Sequence, residues 1–306
     1  MSIYSQIKEK FVMPGAYSDW GEYRKQLTKL LSDNVTQEIV RYERIQEGFT
    51  GTKMKPVYKD GGLSIAIVGA GACNDIDLLE LSEKFEHITL IDIDDAAMHS
   101  AVDWLPEVIR DRITIKKGSV TGITDADQEQ FCSGILYKIK SQENCMKPEM
   151  YSMILLEEVM RLGSKLYTDE RMLAENGLLP VGGYDVVACI GVHSQLMSLL
   201  SYIVTVLTHN ISEQMFQGEM PDTKKVMDYL KKMNSHIIPI VNSAILKSSN
   251  EKSVFGNEYD GKHPVEGAYQ CIMDLRKRGL NISEQHLIWN FNPDRNVEYN
   301  MLIQVI

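Results

Sequence analysis

The stretch Ser64–Leu78, "SIAIVGAGACNDIDL", runs from near-continuous apolar chain into two closely spaced glycines, a small polar cluster and a fresh apolar period. A buried strand that ends in Gly69 and Gly71 and gives way to a helix leaves bare backbone amides at the strand's carboxyl end. Ligands of open α/β sheets bind at such an edge. For a dinucleotide the pattern is GxGxxG, in which the third glycine admits close helix packing and the helix N-terminus faces a pyrophosphate. Here that third position is Asn74.

Outward from this turn the period alternates. "LSIAIVGA" reads as a buried strand, "DIDLLELSEKF" as a helix, "HITLIDI" as a second strand, "DAAMHSAVDWLPEVI" as a helix and "RITIKKG" as a third strand. Such alternation predicts right-handed βαβ units and a parallel sheet covered by helices. After Ile123 the rhythm breaks, and helical periods such as Phe131, Ile135, Ile139 and Ile154, Leu155, Val159, Leu162, Leu166 predict a helical insertion over about 124–183. The sheet resumes with "YDVVACIG", followed by an apolar helix from Gln195 to His209. "PIVNSAIL" is expected to be a strand starting at or just after Pro239, because proline in a central strand deletes a ladder hydrogen bond. "PVEGAYQCIMDLRKRG" places Pro264 in a first helical turn and Gly279 past the end, the asymmetry of a helix. In "HLIWNFNPDRNVEYNMLIQVI" two alternating runs flank "NPDR" and predict an antiparallel hairpin. The expected fold is α/β: a doubly wound, mostly parallel seven-stranded sheet with a C-terminal antiparallel hairpin.

Residues 1–62 read as a separate N-terminal helical segment, with 63–306 forming the main domain. Trp20, Tyr23, Leu27, Leu30 and Leu31 follow "SDWGE", where Asp19 and Glu22 resemble a capping box. Val35, Ile39, Tyr42 and Ile45 continue as a second helical period, and Gly48, Gly51, Pro56, Gly61 and Gly62 mark a linker.

Composition bounds the partners. The chain has 306 residues, 44% of them hydrophobic, and a formal charge of −10, so it can bury a full core and argues against nucleic acid or an anionic membrane surface. Its five cysteines are scattered, with no CxxC pair, which suggests neither a disulfide framework nor a zinc site. "MSIYSQIKEKF" is too polar for a signal peptide, and "LMSLLSYIVTVL" is well short of the roughly 20 residues of a bilayer span. A cytoplasmic location is expected, without a metal.

The chain resembles the class I S-adenosylmethionine-dependent methyltransferases in "AIVGAGACND", in Asp92 within "LIDID", in "GSV" after the third strand, in "YDVVACIGVHS" at the fourth, and in the closing hairpin. The resemblance covers Leu63 to about Ile123 and Tyr184 to Ile306. It departs from the family where a carboxylate is common at Ile67, a third glycine at Cys73 and an aspartate at Ser119.

The resemblance implies S-adenosyl-L-methionine as cofactor and a small-molecule methyl acceptor. Gly69, Ala70 and Gly71, with Asn74, would approach the amino-acid end of the cofactor. Asp92, with Ile93 beside it, would accept hydrogen bonds from the ribose hydroxyls. Ser119 and Val120 would lie beside the adenine. Gly191 would sit where the fourth strand opens towards the methyl group, with His193 as the candidate base should the acceptor need to lose a proton. The N-terminal helices and the insertion would form a lid, with Tyr17 and Trp20 against the ligands and Gly48 to Gly62 as hinge. The bland alternatives are a core role for Trp20, a structural histidine at 193, Asp92 as a helix cap, and a homodimer interface for the two extra segments. A nicotinamide-dependent oxidoreductase would share Gly69, Gly71 and Asp92, and a non-catalytic relative would keep only the fold.

Overall fold

The computed structural model of the chain describes residues 13, 15–33, 35, 39–47, 51–58, 61–142, 145–259 and 266–306. Its N-terminal part begins as the apolar spacing predicts. Helices α1 (Ala16–Asp19) and α2 (Gly21–Ser32) are present, and α2 buries Tyr23, Leu27, Leu30 and Leu31. The capping box is absent: Asp19 lies within α1, and Trp20 precedes α2 without a side-chain cap bond. The second helical period is overturned. Ile39, Tyr42 and Ile45 lie in strand β1 (Ile39–Glu47), paired antiparallel with β2 (Gly51–Tyr58) in a two-stranded sheet. Apolar residues three apart fit a helix, yet the β-branched and aromatic types here suit a strand. The expected linker is therefore largely strand: Gly51 pairs with Glu47 and Pro56 with Tyr42. Gly48 lies outside the described residues.

Period-two alternation then builds a core on both faces of the main sheet. In β3 (Ser64–Val68), Ile65 and Ile67 join one apolar cluster, and Ala66 and Val68 the other, as a strand buried on both sides requires. The division continues in β4 (His87–Asp92) and β6 (Tyr184–Ile190), where Ile88, Leu90, Val186 and Ala188 lie opposite Ile91, Val187 and Cys189. With β5 (Ile113–Lys117), β7 (Ser249–Tyr259), β8 (Ser283–Asn292) and β9 (Val297–Val305), these form a seven-stranded sheet ordered β5-β4-β3-β6-β7-β9-β8. Strands β3 to β7 are parallel, and β9 runs antiparallel to both β7 and β8. The expected C-terminal hairpin is there, turned by a 3-10 segment at Pro293–Arg295 and a left-handed Asn296.

One face carries α2, α3 (Leu78–Lys84) and α4 (Asp95–Asp103), whose helix ends before Pro106; α5 (Glu107–Arg110) follows. The other face carries α6 (Asp125–Ser141), α7 (Pro148–Gly163), the short α8 (Arg171–Glu175), α9 (Ser198–Met215) and α10 (Lys224–Ser248). The insertion is helical as expected, and it forms core: Phe131, Ile135, Tyr151, Leu155, Val159 and Leu162 are all fully buried.

The strand expected at "PIVNSAIL" is instead the C-terminal half of α10, with Pro239 inside the helix. Val226, Leu230, Met233, Ile237, Val241, Ala244 and Ile245 make one apolar stripe at helical spacing, and burying it outweighs the single backbone bond that proline removes. The fifth parallel strand is β7, "SNEKSVFGNEY", immediately after that helix. Helix α11 (Glu266–Lys277) follows, with left-handed Gly279 beyond its end; Pro264 lies outside the described residues. No helix among the described residues is long and apolar enough to cross a membrane.

Candidate active site

From β3 the chain winds outward to β4 and β5, then crosses back to β6 on the other flank of β3. That reversal opens a crevice at the carboxyl ends of β3 and β6, where sheets of this kind bind ligands. Gly69 follows β3 and Gly191 follows β6. Gly69 (φ 73°), Gly71 (φ 48°) and Gly191 (φ 66°) all occupy the left-handed region. A Cβ on Gly69 would stand 2.2 Å from Val192 Cγ2, whereas one on Gly71 would meet nothing within 4 Å. Gly71 thus presents bare backbone to open space. Cys73, where the related pattern has glycine, takes φ 50°, so the loop keeps a glycine's path with a buried side chain on it.

Asp92 ends β4, and its carboxylate is tied to the glycine loop. Gly71 N–H donates to Oδ2 (2.9 Å) and Asp94 N–H to Oδ1 (2.7 Å). The cap of α4 is Asp94, which accepts from Ala97 N–H (3.1 Å). The Asn74 carbonyl accepts from Arg24 Nη1 (2.9 Å), and the guanidinium lies 3.9 Å over the Tyr17 ring. Gly118 N–H donates to the Asp92 carbonyl (2.8 Å), bringing Ser119 and Val120 to the same edge. Ser119 is buried, its hydroxyl 2.9 Å from Thr121 Oγ1. Asp92, the last residue of β4, and the loop residues Gly69, Ala70, Gly71, Asn74, Ile93, Ser119, Val120 and Gly191 therefore all lie at this sheet edge. Ile67, in place of the common carboxylate, points into the core.

The two aromatics assigned to a lid part company. Tyr17 is half-exposed and lines a cavity of about 210 Å³ with Ala72, Cys73, Asn74, Ser100 and Trp104. Trp20 is buried: its indole N–H donates to the Phe291 carbonyl (3.0 Å) and its ring meets Trp289 edge-on at 4.8 Å. It anchors α2 to β8, so the core role describes it. The other end of α2 is fastened too, because Lys252 Nζ donates to the carbonyls of Leu30 (2.9 Å) and Asp33 (2.7 Å).

His193 needs correction as a base. It is fully buried, its Nε2 lies 2.8 Å from Asn242 Oδ1, and its Nδ1 faces Cys189 Sγ at 3.9 Å. Asn242 Nδ2 donates to Asp274 (2.8 Å), which orients the amide oxygen towards the ring, so Nε2 carries the proton. Burial pulls the imidazole down to about 4. It is a neutral structural histidine.

What the edge does hold is a set of groups that pattern reading missed. Glu258, near the end of β7, accepts from Ser194 Oγ at Oε1 (2.8 Å). That same Oε1 would lie 3.5 Å, and Trp289 Cζ3 4.0 Å, from a Cβ on Gly191. Tyr23 stacks on Trp289 at 5.3 Å. Asp75, partly buried in the glycine loop, is pushed up to about 6 by burial, against the pull of a backbone hydrogen bond and Arg24. Burial, with Asp75 and Glu258 nearby, holds the Tyr23 hydroxyl well above its ordinary range. A buried tyrosine next to Arg24 in α2, and a glutamate in a polar strand, carry no motif of their own.

The strand order, with an antiparallel ninth strand inserted between the seventh and eighth, now stands beside a glycine turn tied to an acidic strand end. This is the fold that the resemblance to class I methyltransferases implies. No protein family and no curated protein matches the sequence. Among solved structures, the chain is similar to a SAM-dependent methyltransferase from Aquifex aeolicus (9% identity, 100% of each chain covered, TM-score 0.41). It is also similar to an O-methyltransferase from Bacillus cereus in complex with SAH (9%, 80% of this chain and 73% of that one, TM-score 0.36). A third is the O-methyltransferase of tomaymycin synthesis from Streptomyces achromogenes (10%, 80% and 73%, TM-score 0.36).

Proposed function

We propose that the protein transfers a methyl group from S-adenosylmethionine to a small-molecule acceptor. The observation that carries this reading is the crevice at the strand reversal, where Gly71 offers bare backbone and donates to the carboxylate of Asp92. The residues fit the cofactor: the left-handed turn admits close approach of a ligand, and an acceptor-only carboxylate suits a ribose diol. When bound, the cofactor supplies a methyl group already activated on a sulfonium sulfur. The chain's own work is then positioning and exclusion of water. Gly69 and Gly71 would give the amino-acid end its backbone contacts, Asp92 would hold the ribose, Ser119 and Val120 would flank the adenine, and the loop after Gly191 would face the methyl group. The aromatic group of Tyr23, Trp289 and Trp20 keeps that end dry. All five cysteines are free, in keeping with work in the reducing cytoplasm.

Calorimetric titration tests this. S-adenosylmethionine and S-adenosylhomocysteine should bind and NADH should not, and Asp92→Asn should weaken binding by about 1.5–3 kcal/mol, the range for hydrogen bonds to a charged group. Binding of NADH alone would assign the crevice to a dinucleotide.

A further inference from the structure

Glu258 is only 5% exposed, yet its Oε2 has no hydrogen-bond partner among the described residues. A buried carboxylate oxygen without a donor is costly, so this atom asks for one from a ligand. It sits in a group of similar cases. Tyr23 Oη and Trp289 Nε1 are also buried and unpartnered among the described residues. Ser194, which donates to Glu258, continues into a cavity of about 140 Å³ lined by Met197, Met227, Leu230 and Asn234. Asn234 Oδ1 is a further buried acceptor without a partner there.

The charges that face this place are two carboxylates, Glu258 from β7 and Asp75 from the glycine loop. Arg24, the cation acting on Asp75, is engaged with the carbonyls of Tyr17 and Asn74. At the cavity's outer side Lys231 pairs with Glu266 at 3.6 Å. An acceptor that had to become an anion, such as a phenol, would be repelled by Glu258 and Asp75. An ammonium brings N–H donors and the opposite charge, and the faces of Trp289 and Tyr23 also attract a cation.

Resting on the reading of methyl transfer at this edge, we propose that the acceptor atom is the nitrogen of an amine, held as its ammonium by Glu258, which then takes its proton. One N–H bond breaks as the proton passes to Glu258 Oε2. The freed lone pair forms a bond to the methyl carbon while the carbon–sulfur bond breaks, its electron pair staying on sulfur. The sulfonium charge reappears on the methylated nitrogen, and the balance closes without another reactant. Burial holds the Glu258 carboxyl above its ordinary range, which narrows the gap between it and an ammonium.

Calorimetry on the full chain tests this in two stages. S-adenosylhomocysteine is titrated first, and without binding the reading of the site fails and takes this inference with it. With S-adenosylhomocysteine saturating, three matched pairs follow: tyramine and tyrosol, phenethylamine and 2-phenylethanol, putrescine and 1,4-butanediol. At least one amine should bind about tenfold or more tighter than its hydroxyl counterpart. Glu258→Gln should keep S-adenosylhomocysteine binding and lose that preference. No discrimination in any pair, a preference for hydroxyl compounds, or a preference retained in Glu258→Gln overturns the proposal while leaving cofactor binding in place. Should Glu258→Gln fail to fold, Ser194→Ala is read instead. It removes a hydrogen bond that favours the ionised carboxylate, so the pH midpoint of amine binding should move up, and an unmoved midpoint counts against Glu258.

Discussion

At the scale of single residues, the glycine turn shows how little the identity of a side chain says without its surroundings. Gly69 and Gly71 look alike in the sequence and share a left-handed backbone, but Val192 closes over one and open space lies over the other. Gly71→Ala should therefore cost only the backbone strain, about 1–2 kcal/mol. Gly69→Ala adds overpacking of typically 1–3 kcal/mol, so chemical denaturation should rank it as the more damaging, and equal losses would mean that Val192 moves aside freely. Cys73 marks the limit of motif reading in the other direction. A missing glycine in the string did not alter the backbone, because the surrounding fold holds a cysteine at φ 50°. His193 and Glu258 exchange roles for a similar reason. A histidine beside a strand-end glycine reads as a base, but only the assembled core shows both its nitrogens occupied, and only strand pairing brings Glu258 beside Gly191.

Among the elements, most of those with an apolar period were legible, β1 and the second half of α10 excepted, and β7, with its polar buried face, was not. Strands β3, β4 and β6 declare themselves as hydrophobic runs, and the C-terminal hairpin by its turn. Strand β7 buries Lys252, Ser253, Asn257 and Glu258, so no run of hydrophobes betrays it, and the apolar stretch before it was read as the strand instead. That strand explains why α2 behaves as core: Lys252 reaches from β7 to the carbonyls at the end of α2, where a cation also meets the negative pole of the helix. Burial pulls this ammonium down from 10.5 to about 8. The sign follows from the protons bound. Below pH 8 both folded and unfolded chains hold the proton, and the folded state carries the full cost of a buried charge. Between about 8 and 10.5 the unfolded chain still holds a proton that the folded chain has shed, so stability rises with pH there. Unfolding free energies of the protein and of Lys252→Met, measured across that window, should therefore diverge in favour of the lysine as pH rises, and parallel curves would show that Lys252 keeps an ordinary pKa.

For the whole molecule, the charge balance bears on which form of the cofactor it favours. The chain carries 42 acidic against 32 basic residues, and two of its carboxylates, Asp75 and Glu258, come from the loop and strand end that border the crevice. S-adenosylmethionine has one more positive charge than S-adenosylhomocysteine, located on the sulfur next to the methyl group, and the two are otherwise nearly the same ligand. Any difference in their response to salt therefore isolates the field at that one atom. Between 0.01 and 1 M salt the screening length falls from about 30 to 3 Å. A charge pair about 4 Å apart is worth about 1 kcal/mol in water, so the ratio of the S-adenosylmethionine to the S-adenosylhomocysteine dissociation constant should rise by roughly fivefold over that range. Partial burial of the pair would raise the attraction and reduce its sensitivity to salt, giving a lower ratio throughout and a shallower slope. A ratio above one at low salt that falls as salt is added would mean that the sulfonium meets a positive field, and would put the methyl group away from Glu258.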